Sequence, residues 1–233
     1  ANQNYTTATD SYNTAVGQSA GFAVTTGKFN SLVGGLAGDA ITDGELNTAL
    51  GYNALTTETR GQRAVAIGGF ALQNQNITTQ SESYNTAVGY ATGIAVTTGV
   101  QNTLIGGLAG DSLTTGNQNT AVGYQALSTD DLGSKSVAIG AHALSDMNFA
   151  TATDSLNVAV GHQAGLRVTT GVSNTLIGDR AGDALTDADS NVALGQGALT
   201  GDTLGSRSVA IGAQTLVNQN FTTATNSHNV AVG

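Results

Sequence analysis

The chain has 233 residues with 32 glycines, no proline, no cysteine and no tryptophan, and a formal net charge of −9. The lack of cysteine removes disulfides and thiolate metal sites, and the negative charge disfavours nucleic acid, whose phosphates are bound mainly through Lys and Arg. Only 10% of the residues are charged against 39% apolar, which argues against disorder, and no apolar run approaches the roughly 20 residues of a membrane-spanning helix.

Residues 1–11 read as the tail of a long turn, because Asn4-Tyr5-Thr6-Thr7-Ala8-Thr9-Asp10-Ser11 matches Asn220-Phe221-Thr222-Thr223-Ala224-Thr225-Asn226-Ser227. The phrase Asn13-Thr14-Ala15-Val16-Gly17 follows. Variants of it close on Gly34, Gly51, Gly68, Gly89, Gly106, Gly123, Gly140, Gly161, Gly178, Gly195, Gly212 and Gly233. The steps run 17, 17, 17 and 21, and the pattern occurs three times, so a 72-residue unit lies above the single turn. The chain is therefore one repeat array, 1–233: a partial turn with the first motif (1–17), then units 18–89, 90–161 and 162–233. Neither end carries an atypical capping repeat, which predicts a segment of a longer fibre.

Counting from the motif glycine as position 0, position −1 is Val, Leu or Ile in every turn, and −3 is Thr, Val or Ser. Position −2 is Ala, or Leu at Leu32, Leu104 and Leu176. Alternation at period two predicts a strand with one apolar face at −1 and another at −2. Both faces are then expected to be covered, with the alanine face or the Leu32, Leu104 and Leu176 row near the axis of an assembly. A 17-residue turn accommodates two short strands and two bends, with glycine supplying positive φ at the bends. Gly27, Gly44, Gly61, Gly99, Gly116, Gly133, Gly171 and Gly205, each ten residues after a motif glycine, are assigned to such bends. Glycine density and Thr/Val content oppose helix.

Position −4 is asparagine at Asn13, Asn30, Asn47, Asn85, Asn102, Asn119, Asn157, Asn174, Asn191 and Asn229. Stacked at one corner, these amides predict a hydrogen-bonded ladder along the axis, a brace rather than a row for binding sugar or ice. Every fourth turn carries a loop four residues longer. Tyr5, Ile77, Phe149 and Phe221 share one position inside its polar stretch. Large apolar side chains are usually buried, so Ile77, Phe149 and Phe221 are expected to lie at least half buried in collars of loops, closing contacts within an assembly.

Signals of chemistry are sparse, and no enzyme, metal or cofactor is expected. Gly17-Gln18-Ser19-Ala20-Gly21 has the spacing of a nucleophile elbow, but that needs a strand-to-helix turn, and the equivalent stretches at Gly89 and Gly161 lack the serine. Asp39, Asp111 and Asp183 are equivalent, with Asp43 and Asp187 nearby, yet the middle copy has Thr115 where the others have aspartate, so a Ca²⁺ cluster is incomplete. Glu58, Asp130 and Asp202 precede Arg63, Lys135 and Arg207 in the same turns and suggest a recurring exposed ion pair. His142, His162 and His228 occupy three different turn positions and form no ladder.

Ser136-Val137-Ala138-Ile139-Gly140 and its copy ending at Gly212 resemble the head repeat of trimeric autotransporter adhesins, the YadA-like heads. Asn119-Thr120-Ala121-Val122-Gly123-Tyr124-Gln125-Ala126-Leu127 is similar also to repeats of phage tail fibres. The resemblance covers essentially the whole chain. It implies an all-β, left-handed parallel β-roll with 17/17/17/21-residue turns, assembled as a parallel homotrimer or longer filament and displayed outside the cell or on a virion for attachment. The turns are longer than those usual in adhesin heads, and the membrane anchor and coiled-coil stalk of that family have no counterpart here. The expected partners are further copies of the chain and an unidentified surface receptor or glycan, without membrane insertion by this segment. A viral tail-fibre shaft is the alternative. An ice-binding solenoid is a further one, set against the interruption of Thr14, Thr48, Thr86, Thr103, Thr120 and Thr175 by Val and Ser.

Overall fold

A computed structural model describes residues 10–233; Tyr5 and its neighbours lie outside the described residues. The described chain is all-β, without helix, and its turns stack as a parallel β-solenoid. It divides into two compact units, Ala1–Asn117 and Gln118–Gly233. In the first, strands β1 (Thr14–Val16), β2 (Ser31–Val33), β3 (Thr48–Leu50), β4 (Val65–Ile67), β5 (Thr86–Val88) and β6 (Thr103–Ile105) pair in chain order. In the second, β7 (Thr120–Val122), β9 (Val137–Ile139), β11 (Val158–Val160), β12 (Thr175–Ile177), β13 (Val192–Leu194), β15 (Val209–Ile211) and β17 (Val230–Val232) do the same.

Every pairing places like positions opposite one another, as in Thr14 with Ser31 and Ala15 with Leu32. The longer fourth turns keep that register: Ala66 still faces Ala87, and Ala138 still faces Ala159. Their additional residues pair instead with the preceding turn. β10 (Thr153–Asp154) lies along β8 (Gly133–Ser134), β16 (Thr225–Asn226) lies along β14 (Gly205–Ser206), and Gln62 bridges Glu82 in the first unit.

Each turn forms one three-residue strand, and among the described residues the second short strand expected appears only as the two-residue β8, β10, β14 and β16, because positive-φ residues interrupt the extended backbone elsewhere. Position −5 lies at φ between 49° and 63° in all 13 turns, from Tyr12 to His228, and none of these residues is glycine. Positions +2 and +4 are left-handed as well, for example at Asn53 (φ 56°) and Leu55 (φ 54°). An L residue in that region costs about 1–2 kcal/mol. Hydrogen bonds to adjacent turns hold these residues there: Leu46 N–H donates to Lys28 O (3.0 Å), Asn53 N–H to Gly35 O (3.0 Å), and Leu55 N–H to Ala71 O (3.0 Å).

The motif glycine answers to two constraints. Gly51 lies at φ 141°, and a Cβ on it would run into the backbone of Gly68 one turn on. The glycines ten residues later are a correction, since they are absent from the positive-φ positions. They are needed for close approach: a Cβ on Gly27 would strike the carbonyl oxygen of Gly44, and one on Gly61 would strike the carboxylate of Glu58.

In the second, third and fourth turns of each repeat unit the volumes compensate. Second turns place Leu32, Leu104 or Leu176 at −2 and glycine at +4, and a Cβ on Gly38 would lie 2.8 Å from Leu32 Cδ2. Third and fourth turns reverse the pair, with Ala49 or Ala66 at −2 and Leu55 or Leu72 at +4. All of these leucines and alanines are fully buried. The alanine face and the Leu32, Leu104 and Leu176 row are thus the interior of the chain itself and do not lie at an axis between chains.

Candidate functional site: the outward strand face

With −2 turned inward, the pleat turns −3 and −1 outward. A row of Val, Leu and Ile therefore runs up the outside of the sheet in each unit. Leu50 is 46% exposed and Ile105 38% in the first unit, and Leu194 is 42% exposed in the second. Rings just past the motif glycine extend this apolar surface. Phe70 packs edge-on against Tyr52 (5.5 Å) and Tyr90 (5.8 Å), and Tyr124 packs edge-on against His142 (5.5 Å). Tyr12 and Phe29 stack face to face at 5.6 Å. The sequence reading overlooked these rings. Their signal was that Tyr52, Tyr90 and Tyr124 each directly follow a motif glycine. Continuous apolar surface of this kind marks sites of association.

The −4 asparagines bond mostly to backbone, not to one another. Asn47 Nδ2 donates to Gly61 O (2.9 Å), and its Oδ1 accepts the N–H of Ala64 (2.9 Å). Asn30 does the same with Gly44 O and Asn47 N–H, and Asn191 with Gly205 O and Ser208 N–H. Asn13, Asn85 and Asn157 likewise accept from the −4 N–H of the turn that follows. Asn102 and Asn119 donate to Gly116 O and Gly133 O, each at 2.9 Å. An amide-to-amide bond runs from Asn174 Nδ2 to Asn157 Oδ1 (3.2 Å). Asn229 donates to Gln219 Oε1 (2.7 Å) and is exposed. Each interior asparagine thus satisfies a buried N–H and a buried carbonyl that stacked turns would otherwise leave open.

Ile77 and Phe149 are 6% and 5% exposed and Phe221 is partly buried, all within a single chain. No partner is required to cover them. Glu58, Asp130 and Asp202 are a correction: they are fully buried and turn inward, so they do not pair with the cations that follow them. Their oxygens accept backbone N–H groups, as Glu58 Oε1 does from Thr59 (2.9 Å), Arg60 (3.1 Å) and Gly61 (2.7 Å). Arg63 meets Glu82 and Tyr84 instead, and Lys135 meets Asp154 at 2.6 Å.

The Asp39, Asp111 and Asp183 series separates into single contacts. Asp39 accepts from Thr56, and Asp183 from Thr200. Asp43 pairs with Arg60 (2.8 Å), and Asp187 accepts from Thr186 (2.9 Å). Burial raises the Asp111 carboxyl above its ordinary range. Among the described residues no three His, Cys, Asp or Glu side chains converge as a metal centre would require. Ser19 of the elbow-like stretch is a +2 bend residue at φ 56°, the conformation that Leu36 adopts at the same position. His162 lies 3.0 Å from Asp179 on the exposed surface.

A second column went unseen in the sequence, at position +8. Thr25 Oγ1 donates to Thr42 O (3.1 Å), Thr42 Oγ1 to Thr59 O (3.1 Å), and Thr186 Oγ1 to Thr203 O (3.1 Å). These hydroxyls bind turn to turn, which gives the column a structural role. The chain matches no protein-family model, no curated protein and no solved structure.

Proposed function

We propose that the chain is a non-enzymatic structural segment of an extracellular trimeric fibre, serving adhesion or host attachment at a bacterial or virion surface. The observation that carries this reading is the outward Val/Leu/Ile row, which continues in register from strand to strand within each unit while the interior is already filled by the chain's own alanines and leucines. Such a face gains by leaving water, at about 25 cal/mol per Å² of apolar surface covered. The resemblance of the Ser136 to Gly140 phrase to adhesin heads supplies the number three, the location and the role. In this reading the in-register turns act as a stiff scaffold, and receptor or glycan contact belongs to surface loops or to flanking parts of the fibre.

The test is sedimentation of the chain and of the double variant Leu50→Asp, Leu194→Asp. The parent is expected at three times the 23.2 kDa chain mass, and the variant as a monomer with the same far-ultraviolet β signature. A stable 23.2 kDa parent would overturn the proposal.

A further inference from the structure

Three buried carboxylates occupy the same inward position, and each fastens the long turn that follows. Glu58 accepts the N–H of Gly61 (2.7 Å) and, from the next turn, the N–H of Ile77 (3.1 Å). Asp202 accepts from Gly205 (3.1 Å) and Phe221 (2.9 Å). Asp130 accepts from Gly133 (3.0 Å) and, more weakly, from Phe149 (3.5 Å).

The second carboxylate oxygen separates the copies. Gln75 Nε2 donates to Glu58 Oε2 (2.8 Å), and Gln219 Nε2 donates to Asp202 Oδ2 (2.5 Å). The residue equivalent to these glutamines in the middle copy is Met147, whose thioether has no proton to give. Its sulfur instead receives Asn157 Nδ2 (3.5 Å). Asp130 Oδ2 is consequently buried without a hydrogen bond.

Among the described residues no cation pairs with this carboxylate. Asp131 adjoins Asp130 and opposes its ionisation. Lys135 is turned outward onto Asp154, and Asp146 faces solvent. Residues 118–123, which precede this turn in the same unit, include no ionisable side chain. Burial first, and Asp131 to a smaller degree, push the Asp130 carboxyl up to about 6 against the opposing N–H bonds of Gly133 and Phe149.

We propose that Asp130 is a proton-operated latch on the middle long turn, residues 145–156, which holds closed while the carboxyl is neutral and opens more readily once it is charged. The turns at 73–84 and 217–228, whose carboxylates have a glutamine donor, do not respond. The physical cause is the unpaired oxygen: an ionised carboxylate in that position is relieved only when the turn lifts and admits water.

Amide hydrogen exchange on the assembled protein tests this, read as protection factors so that the intrinsic pH dependence of exchange cancels. Phe149 and Ser155, whose N–H donates to Ser134 O (2.9 Å), report on the middle turn. Ser83 and Ser227, which donate to Gln62 O (2.9 Å) and Ser206 O (2.9 Å), report on the other two. Between pH 5 and 7.5 the protection of the middle reporters is expected to fall by about 10-fold. The other reporters stay flat. Asp130→Asn abolishes the dependence, and Met147→Gln does so while keeping the carboxylate. The proposal is overturned if all three turns change together, or if either variant retains the parent's dependence. Should Asp130→Asn fail to fold, Met147→Gln decides alone.

Discussion

Replacing Asn47 by alanine removes one rung of the corner brace and tests whether the asparagines hold turns together. The side chain is 1% exposed, donates to Gly61 O at 2.9 Å and accepts from Ala64 N–H at 2.9 Å. Truncation leaves that carbonyl and that N–H buried with no substitute partner. A buried polar group deprived of its partner costs about 1–3 kcal/mol, so the pair predicts a loss of about 3 kcal/mol, with 2 and 6 as rough bounds. Each kcal/mol shifts the melting temperature by about 2–4 °C in a domain of this size, which gives a fall of about 6–12 °C. Thermal and urea unfolding at fixed protein concentration measure it, and exchange at the Ala64 amide locates it. A midpoint within about 1 °C of the parent would refute the reasoning, because the stacked turns would then close without the brace.

Other substitutions test the interior. Gly51→Ala meets both an unfavourable φ of 141° and the backbone of Gly68, so a loss of about 3 kcal/mol or more is expected from strain and overlap. Gly35→Ala, whose Cβ would meet only the Tyr52 ring at 3.3 Å, is expected to stay within about 1 kcal/mol; equal urea midpoints for the two would sink the distinction. Phe149→Ser removes a ring that is 5% exposed and should cost about 3 kcal/mol in a melt, whereas an unchanged melting temperature would mean the ring is not part of the packing. Asp130 has a definite sign. Its folded value of about 6 lies above the ordinary 3.8, so the folded state keeps a proton that the unfolded chain has released between those values. Its contribution to stability therefore grows as pH falls from about 6 to 4 and is lost as pH rises through that window, by about 3 kcal/mol at most. Other carboxylates also titrate there, so the quantity to measure is the difference between parent and Asp130→Asn, and a difference independent of pH would contradict the assignment.

The sequence by itself determined the period, the strand and the corner. Thirteen phrases like Asn13 to Gly17 place a strand in every turn, and in-register stacking follows because the four extra residues of each long turn fall outside the phrase, so like residues lie above like. What it left open was which of two apolar faces is inside. Period-two alternation makes Leu50 and Ala49 equally good candidates for burial, and only closure of a 17-residue coil decides between them. The space within that coil admits Leu32 because Gly38, six residues later, has no side chain, a complementarity that exists only once the turn is closed. The same closure draws Glu58, Asp130 and Asp202 inward, where unpaired N–H groups of the bend outweigh the attraction of solvent and of Arg63, Lys135 or Arg207. It also drives residues such as Leu46 and Tyr84 into left-handed backbone that their own side chains disfavour. Local propensity was legible residue by residue; the direction of each side chain was settled by the turns stacked above and below it.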